Sequence, residues 1–245
     1  MATFFPSIPH IEDCPKRIRA YHHGVCLVDT RAAKLVWLDR RFPVYAFIED
    51  DLPTWYMREH SQTEDEARYT IIIGGDYSRL AGAMRCFKTG PLAGLSIIPF
   101  DAMEEWFEED EQVFVHPKDP YKRIDILPSS RHVRIEVNGI EVANTRAPRL
   151  LFETGLPVRT YIPKVDCRMD LWKVSDLTTS CPYKGTANYY HIVLSSGETF
   201  ENVIWWYPTT TPESTMIRGY VAFYDEKVDV WLDGEKQPRH DQMTA

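Results

Sequence analysis

At 245 residues the chain is long enough for one large domain or two small ones, and 44% apolar residues suffice for a core. Thirteen Tyr, eleven Phe and seven Trp suit strands better than helices. The formal charge of −8, with no cluster of Lys and Arg, argues against non-specific nucleic-acid binding, and no apolar run approaches a membrane span.

The opening Met1-Ala-Thr-Phe-Phe-Pro6 lacks the basic and apolar regions of a secretory signal. The five cysteines, Cys14, Cys26, Cys86, Cys167 and Cys181, are odd in number and none is in a CxxC spacing. That pattern reads as reduced thiols in a cytoplasmic protein.

In chain order, Arg17–Gly24 is the first strand-and-turn signal, followed by Asp29-Thr-Arg-Ala32, Leu35 and Trp37. Ser78–Cys86 reads as a helical turn, and the acid-rich run 101–111 as a solvated face. His116–Asp125, with two prolines in five residues, reads as an extended connector. Val133, Ile135 and Val137 then alternate with Arg134 and Glu136, and Ile140 and Val142 alternate after Asn138-Gly139. Alternation on both sides of Asn-Gly predicts a hairpin, because both residues tolerate the positive φ of a type I′ turn. Further strands are predicted at 148–153, 158–163, 189–194, 201–207, 219–224 and 228–232. A short helix is predicted at Pro212–Ile217, and a polar tail after Gly234.

The two halves align. Arg17–Gly24 matches His132–Gly139, Thr30-Arg-Ala32 matches Thr145-Arg-Ala147, and Leu35 and Trp37 match Leu150 and Phe152. After a slip of one residue, Phe47-Ile48 matches Tyr161-Ile162. Later, Tyr69–Ile73 matches Tyr190–Leu194, and Glu105–Glu109 matches Asp229–Asp233. The chain thus reads as an internal duplication: a first repeat at 1–115, a connector at 116–130 and a second repeat at 131–245. Each repeat is all-β, of the small barrel or sandwich type, with a short helix or helical turn.

Positions kept in both copies serve the shared fold, so chemistry is expected where the copies differ. The second copy carries Arg168, Asp170, Cys181 and Lys184 where the first has the shorter, acidic 53–67. Glu153 stands opposite Leu38, and Trp205-Trp-Tyr207 opposite Arg85-Cys-Phe87.

Arg168-Met-Asp170, Thr178–Gly185, Trp206-Tyr-Pro208 and Gly219–Tyr224 closely resemble the domain-of-unknown-function family 427, which also carries a nucleotidyltransferase label. The resemblance covers 131–235 well and the first copy as a divergent match. It implies a β-tent-like domain of antiparallel strands around a pocket, in tandem, and no settled activity. The transferase label finds little support, since the chain has no Gly-rich phosphate loop and no close acidic pair for magnesium.

Two readings stay open for each candidate. A lysine three residues away would favour the thiolate of Cys181, or Cys181 is a small buried hydrophobe and Lys184 a surface charge. Arg168 and Asp170 would share one face of a strand, either as an ion pair or as an anion anchor and a base. Trp206 falls on the opposite face from Trp205 and Tyr207. His191 reads as structural.

The leading expectation is a small-molecule enzyme of hydrolase, lyase or isomerase type, using a pocket in the second repeat. Arg168 would anchor an anionic group, Asp170, Lys184 and Glu153 would move protons, and Cys181 would be a nucleophile or a polar wall. Tyr161, Tyr183, Tyr189, Trp206 and Tyr207 would line the site. The rival is a non-catalytic ligand-binding or protein-interaction module using the same pocket. No metal, cofactor, nucleic acid or membrane is expected as a partner, and a homodimer is compatible with this reading. Among the thiols, Cys181 is expected to be the most reactive and Cys167 its competitor. Cys26 and Cys86 are expected to be buried, and Cys14 to behave as an ordinary thiol in a polar arm.

Overall fold

The computed structural model describes residues 7–74 and 78–239, which are almost entirely antiparallel β-structure in two compact units that meet in sequence at Asp119 and Pro120. Among the described residues no helix is long and apolar enough to cross a membrane.

The first unit pairs a seven-stranded sheet with a four-stranded one. The larger runs in the order β1 (His10–Asp13), β4 (Lys34–Trp37), β5 (Val44–Ile48), β9 (Leu95–Ile97), β8 (Ser78–Phe87), β7 (Glu66–Ile73), β6 (Met57–Gln62). The smaller runs β11 (Glu111–Val113), β10 (Glu105–Glu108), β2 (Ile18–His22), β3 (Val25–Thr30). The second unit repeats this order. Its larger sheet is β12 (Ile124–Pro128), β15 (Arg149–Glu153), β16 (Arg159–Pro163), β20 (Tyr220–Phe223), β19 (Thr199–Trp206), β18 (Gly185–Val193), β17 (Trp172–Cys181). Its smaller sheet is β14 (Ile140–Thr145), β13 (Val133–Val137), β21 (Asp229–Leu232), β22 (Glu235–Lys236).

Local chemistry explains why the same residues recur. Thr30 accepts the Ala32 N–H at 2.9 Å and donates to Asp51 at 2.6 Å; Thr145 accepts the Ala147 N–H at 3.0 Å and donates to Asp166 at 2.6 Å. The Thr-Arg-Ala turn is therefore a hydroxyl that fixes its own turn and ties it to a carboxylate 21 residues on. Gly82 and Asn202 hold the same bulge of the larger sheets at φ +62° and +51°, a conformation both residue types tolerate.

The Asn138-Gly139 hairpin forms as the alternation predicts, with φ of +50° and +77° and Val137 opposite Ile140. Val133, Ile135 and Val137 enter the core, where they meet Ile162, Ile192, Ile204 and Phe223 of the larger sheet. A Cβ at Gly139 would touch nothing within 4 Å, so a side chain there costs conformation and no packing. Gly139→Val is expected to lower stability by about 1 kcal/mol, read from urea denaturation. An unchanged midpoint would count against the left-handed turn.

The structure departs from the sequence reading in four places. Ser78–Phe87 is a strand and not a helical turn, since it is paired on both sides by β7 and β9. The proposed connector is only half a connector: Ile124 and Ile126 pack on the outer aromatic cluster and 124–128 pairs with β15 as an edge strand. The one-residue slip does not exist. Ala46 stands opposite Lys34 just as Tyr161 stands opposite Arg149, so Tyr161 matches Ala46, and Phe47 matches Ile162. Finally, Cys26, expected to be buried from strand alternation, is exposed, and Cys14, expected to be an ordinary thiol in a polar arm, is buried. The β2–β3 register shifts between Ala20 and Tyr21, so Leu27 and Val28 both face inward and Cys26 turns out.

Candidate active site

In the second unit the inner face of the larger sheet meets the smaller sheet, and the outer face carries a second cluster: Leu151, Tyr161, Ala187, Tyr189, Trp205, Tyr207 and Ala222. Strand alternation sorts them, with Tyr161 out and Ile162 in, and Trp205 and Tyr207 out and Trp206 in. Between these outer aromatic rings lies a cavity of about 200 Å³, lined also by Glu153, Leu156, Pro157, Arg159, Lys184 and Tyr224.

The Cys181–Gly185 stretch is the tight turn between β17 and β18, with Cys181 paired to Gly185. The turn is clamped from outside. Thr211 and Ser214 both donate to the Tyr183 carbonyl, the latter at 2.9 Å, and both lie at the 3-10 turn Pro212–Ile217. This geometry turns Lys184 inward onto Glu153, a carboxylate 8% exposed. Lys122 reaches the other oxygen of Glu153 at 3.3 Å. A buried carboxylate needs such partners, because desolvation of an unpaired charge is costly.

The aromatic walls are tied together. Trp205 Nε1 donates to the Tyr161 hydroxyl at 3.2 Å, the Thr179 and Tyr189 hydroxyls bond at 2.7 Å, and the Tyr189 ring stacks on Tyr224. Burial raises the phenol pKa values of Tyr161, Tyr207 and Tyr224, so all three are protonated donors at neutral pH. Since Tyr161 accepts from Trp205, its own hydrogen is available to a ligand. Arg159 completes the rim, held by Glu226 at 2.6 Å, with its guanidinium 5.7 Å from the Trp205 ring centre.

Five of the ten residues singled out from sequence meet here: Glu153, Lys184, Tyr161, Tyr189 and Tyr207. The other five do not line the cavity. Arg168 and Asp170 pair with each other at 2.7 Å on the surface, 55% and 59% exposed, beside the 3-10 turn Met169–Leu171 and not on a strand. Trp206 lies on the inner face under the Lys164 ammonium. Tyr183 is buried behind the turn, with Lys122 over its ring. Cys181 is half-buried at the end of β17 and does not line the cavity. Its expected activator, Lys184, is engaged by Glu153. Sequence reasoning missed Trp205, Arg159 and Tyr224. Trp205 and Tyr207 share a parity, and that signal was already available.

Among the described residues, the same face of the first unit is lined differently. Ala46, Val36, Ile97 and Leu92 fill it with an apolar cluster, and Arg85 occupies the Trp205 position. The family model described as a domain of unknown function (DUF427) matches residues 125–234. The second unit is a DUF427 domain. No curated protein matches the chain. The DUF427 match spans β12 to β21 and so includes every residue that lines the cavity.

Limited iodoacetamide labelling should modify Cys26 first, because it is exposed, and leave Cys14 until the protein unfolds. Cys167 should be slow, since burial pushes its thiol up to about 12. If peptide mass spectrometry shows Cys181 labelled before Cys26, the thiol is activated despite the Glu153–Lys184 pair.

Proposed function

We propose that the DUF427 unit is a small-molecule-transforming enzyme, of hydrolase, lyase or isomerase type, working by proton transfer in the outer-face cavity. One observation carries the reading. A buried Glu153–Lys184 pair, braced by Lys122, sits among protonated phenols in a cavity whose equivalent face in the first unit is filled with apolar side chains. A fold that needed only packing there has a simpler solution in its own other half.

In this reading Glu153 takes a proton from the substrate while Lys184, now without its ion-pair partner, returns one to the developing anion. Tyr161 and Tyr207 donate hydrogen bonds to a substrate oxygen. The volume suits a compact molecule smaller than the drug-sized ligands of ~300–1,000 Å³ sites. A singly anionic group fits beside Lys184 and Arg159. Cytoplasmic location belongs to the same reading and rests on the reduced thiols.

The test is proton exchange. Compact hydroxy acids, keto acids and lactones are incubated with the full chain in deuterium oxide and followed by proton NMR. Substrate-specific exchange or turnover that falls at least 100-fold in Tyr207→Phe or Glu153→Gln, and is unchanged in Arg168→Ala, supports the enzyme. Saturable binding with no exchange supports the alternative, a non-catalytic ligand-binding module.

A further inference from the structure

A second polar cluster lies in the first unit, far in sequence from every residue of the cavity. His22 ends β2, His23 is the first turn residue at φ +46°, and Glu104 precedes β10. Their ligand-type atoms all lie within 4.8 Å of one another. The Glu104 Oε1 is 3.3 Å from His23 Nδ1 and 3.9 Å from His22 Nδ1. The other Glu104 oxygen accepts the His23 N–H at 2.7 Å, which fixes the carboxylate on the turn.

His22 is the decisive member. It is 8% exposed, and its Nε2 lies 2.8 Å from the Ser78 hydroxyl. A proton on Nε2 donated to Ser78 leaves a lone pair on Nδ1. That Nδ1 is buried and has no hydrogen-bond partner. In that tautomer a buried acceptor is left without a donor and faces a carboxylate, which offers no hydrogen; in the other, a buried N–H stands 3.9 Å from the carboxylate, too far for a hydrogen bond. A cation resolves both problems at once.

We propose that His22, His23 and Glu104 form a binding site for a divalent transition-metal ion of the zinc type. Ligands bonded at ~2.0–2.1 Å to a tetrahedral zinc lie roughly 3.3 Å apart; the Glu104–His23 pair already stands at 3.3 Å, the Glu104–His22 pair at 3.9 Å must close by about 0.6 Å, and no two of the three ligand atoms are more than 4.8 Å apart. Imidazole and carboxylate are the ligands that zinc, nickel and copper accept. Ser78 acts as the outer-shell partner that sets the tautomer of the ligating ring. With three protein ligands the fourth position faces solvent, since His23 and Glu104 are exposed. The shared fold does not require this set: the matching turn of the second unit reads Val137-Asn138, and Val228 holds the place of Glu104.

The probe is cobalt(II), added to the untagged full chain after chelator treatment. The expected result is one ion per chain, with visible d–d absorption and no near-ultraviolet sulfur-to-cobalt band. Glu104→Gln and His23→Ala, both at exposed positions, should each weaken binding at least tenfold, and Ser78→Ala about tenfold. Zinc should compete for the site and raise the melting temperature of the wild type more than that of Glu104→Gln. Three outcomes would overturn the proposal: no stoichiometric binding, a sulfur-to-cobalt band, or equal affinity in Glu104→Gln and His23→Ala.

Discussion

Lys184→Met should destabilise the second unit by about 3 kcal/mol, and Glu153→Leu by about 3–5 kcal/mol, in equilibrium urea denaturation. The asymmetry follows from the contacts. Removing Lys184 leaves Glu153 with Lys122 at 3.3 Å, whereas removing Glu153 strands Lys184 among aromatic rings at 12% side-chain exposure. The double variant Glu153→Leu/Lys184→Met should recover most of the loss, because the first unit fills the same face with apolar side chains and folds. Breaking one half of a buried pair costs more than replacing both. If the single variants are as stable as the wild type, the pair is hydrated in solution and the acid–base assignment to it fails. If the double variant regains stability and stays inactive in the exchange assay, the pair is there for chemistry and not for folding.

Gly185→Ala should cost about 2–4 kcal/mol, far more than a typical Gly→Ala change. Gly185 has φ +103°, and a Cβ there would lie 2.7 Å from the Thr209 carbonyl oxygen. Backbone strain of about 1–3 kcal/mol adds to overpacking against a main-chain atom that cannot rotate away. Gly139, equally left-handed but with open space around it, isolates the conformational part. The damage should also be directional. Thr209 leads into Thr211, whose N–H bonds the Lys184 carbonyl at 3.4 Å. Hydrogen exchange at Thr211 should therefore accelerate in Gly185→Ala and stay slow in Gly139→Ala. Equal exchange in the two variants would show that the close approach at Thr209 is not what demands glycine.

How far the sequence spoke can be traced residue by residue. Val133, Ile135 and Val137 alternate because one face of β13 meets the core and the other meets solvent, and the hairpin follows at once. β16 shows no alternation, since Tyr161 and Ile162 are buried on opposite faces. With both sides covered there was no polar parity to count, and the false one-residue slip entered there. It aligned Tyr161 with Phe47, a core residue, although the register matches it to Ala46, whose small side chain leaves no ring on the outer face of the first unit. Glu153 and Lys184 were legible because their matching positions in the first copy lack them. Arg168 and Asp170 passed the same test and still fall outside, because difference between copies marks divergence of any kind. No sequence signal separates a surface ion pair from a buried one; that needed the 3-10 turn at Met169–Leu171.

The outermost strands of the larger sheets bear on how this protein behaves when concentrated. β6 and β17 each present one unpaired backbone edge, the usual template for joining one molecule to another. Each breaks its pairing partway, between Glu59 and Ser61 and between Val174 and Thr178, so neither offers a long flat ribbon. Arg58 and Glu59 put charge on the first, Lys173 and Asp176 on the second. At the opposite edge of the second unit β12 ends in Pro128, which has no N–H to donate. Strand-to-strand growth into fibres is thus discouraged at these three edges, by a break in pairing and a pair of charges at β6 and β17 and by a missing donor at β12.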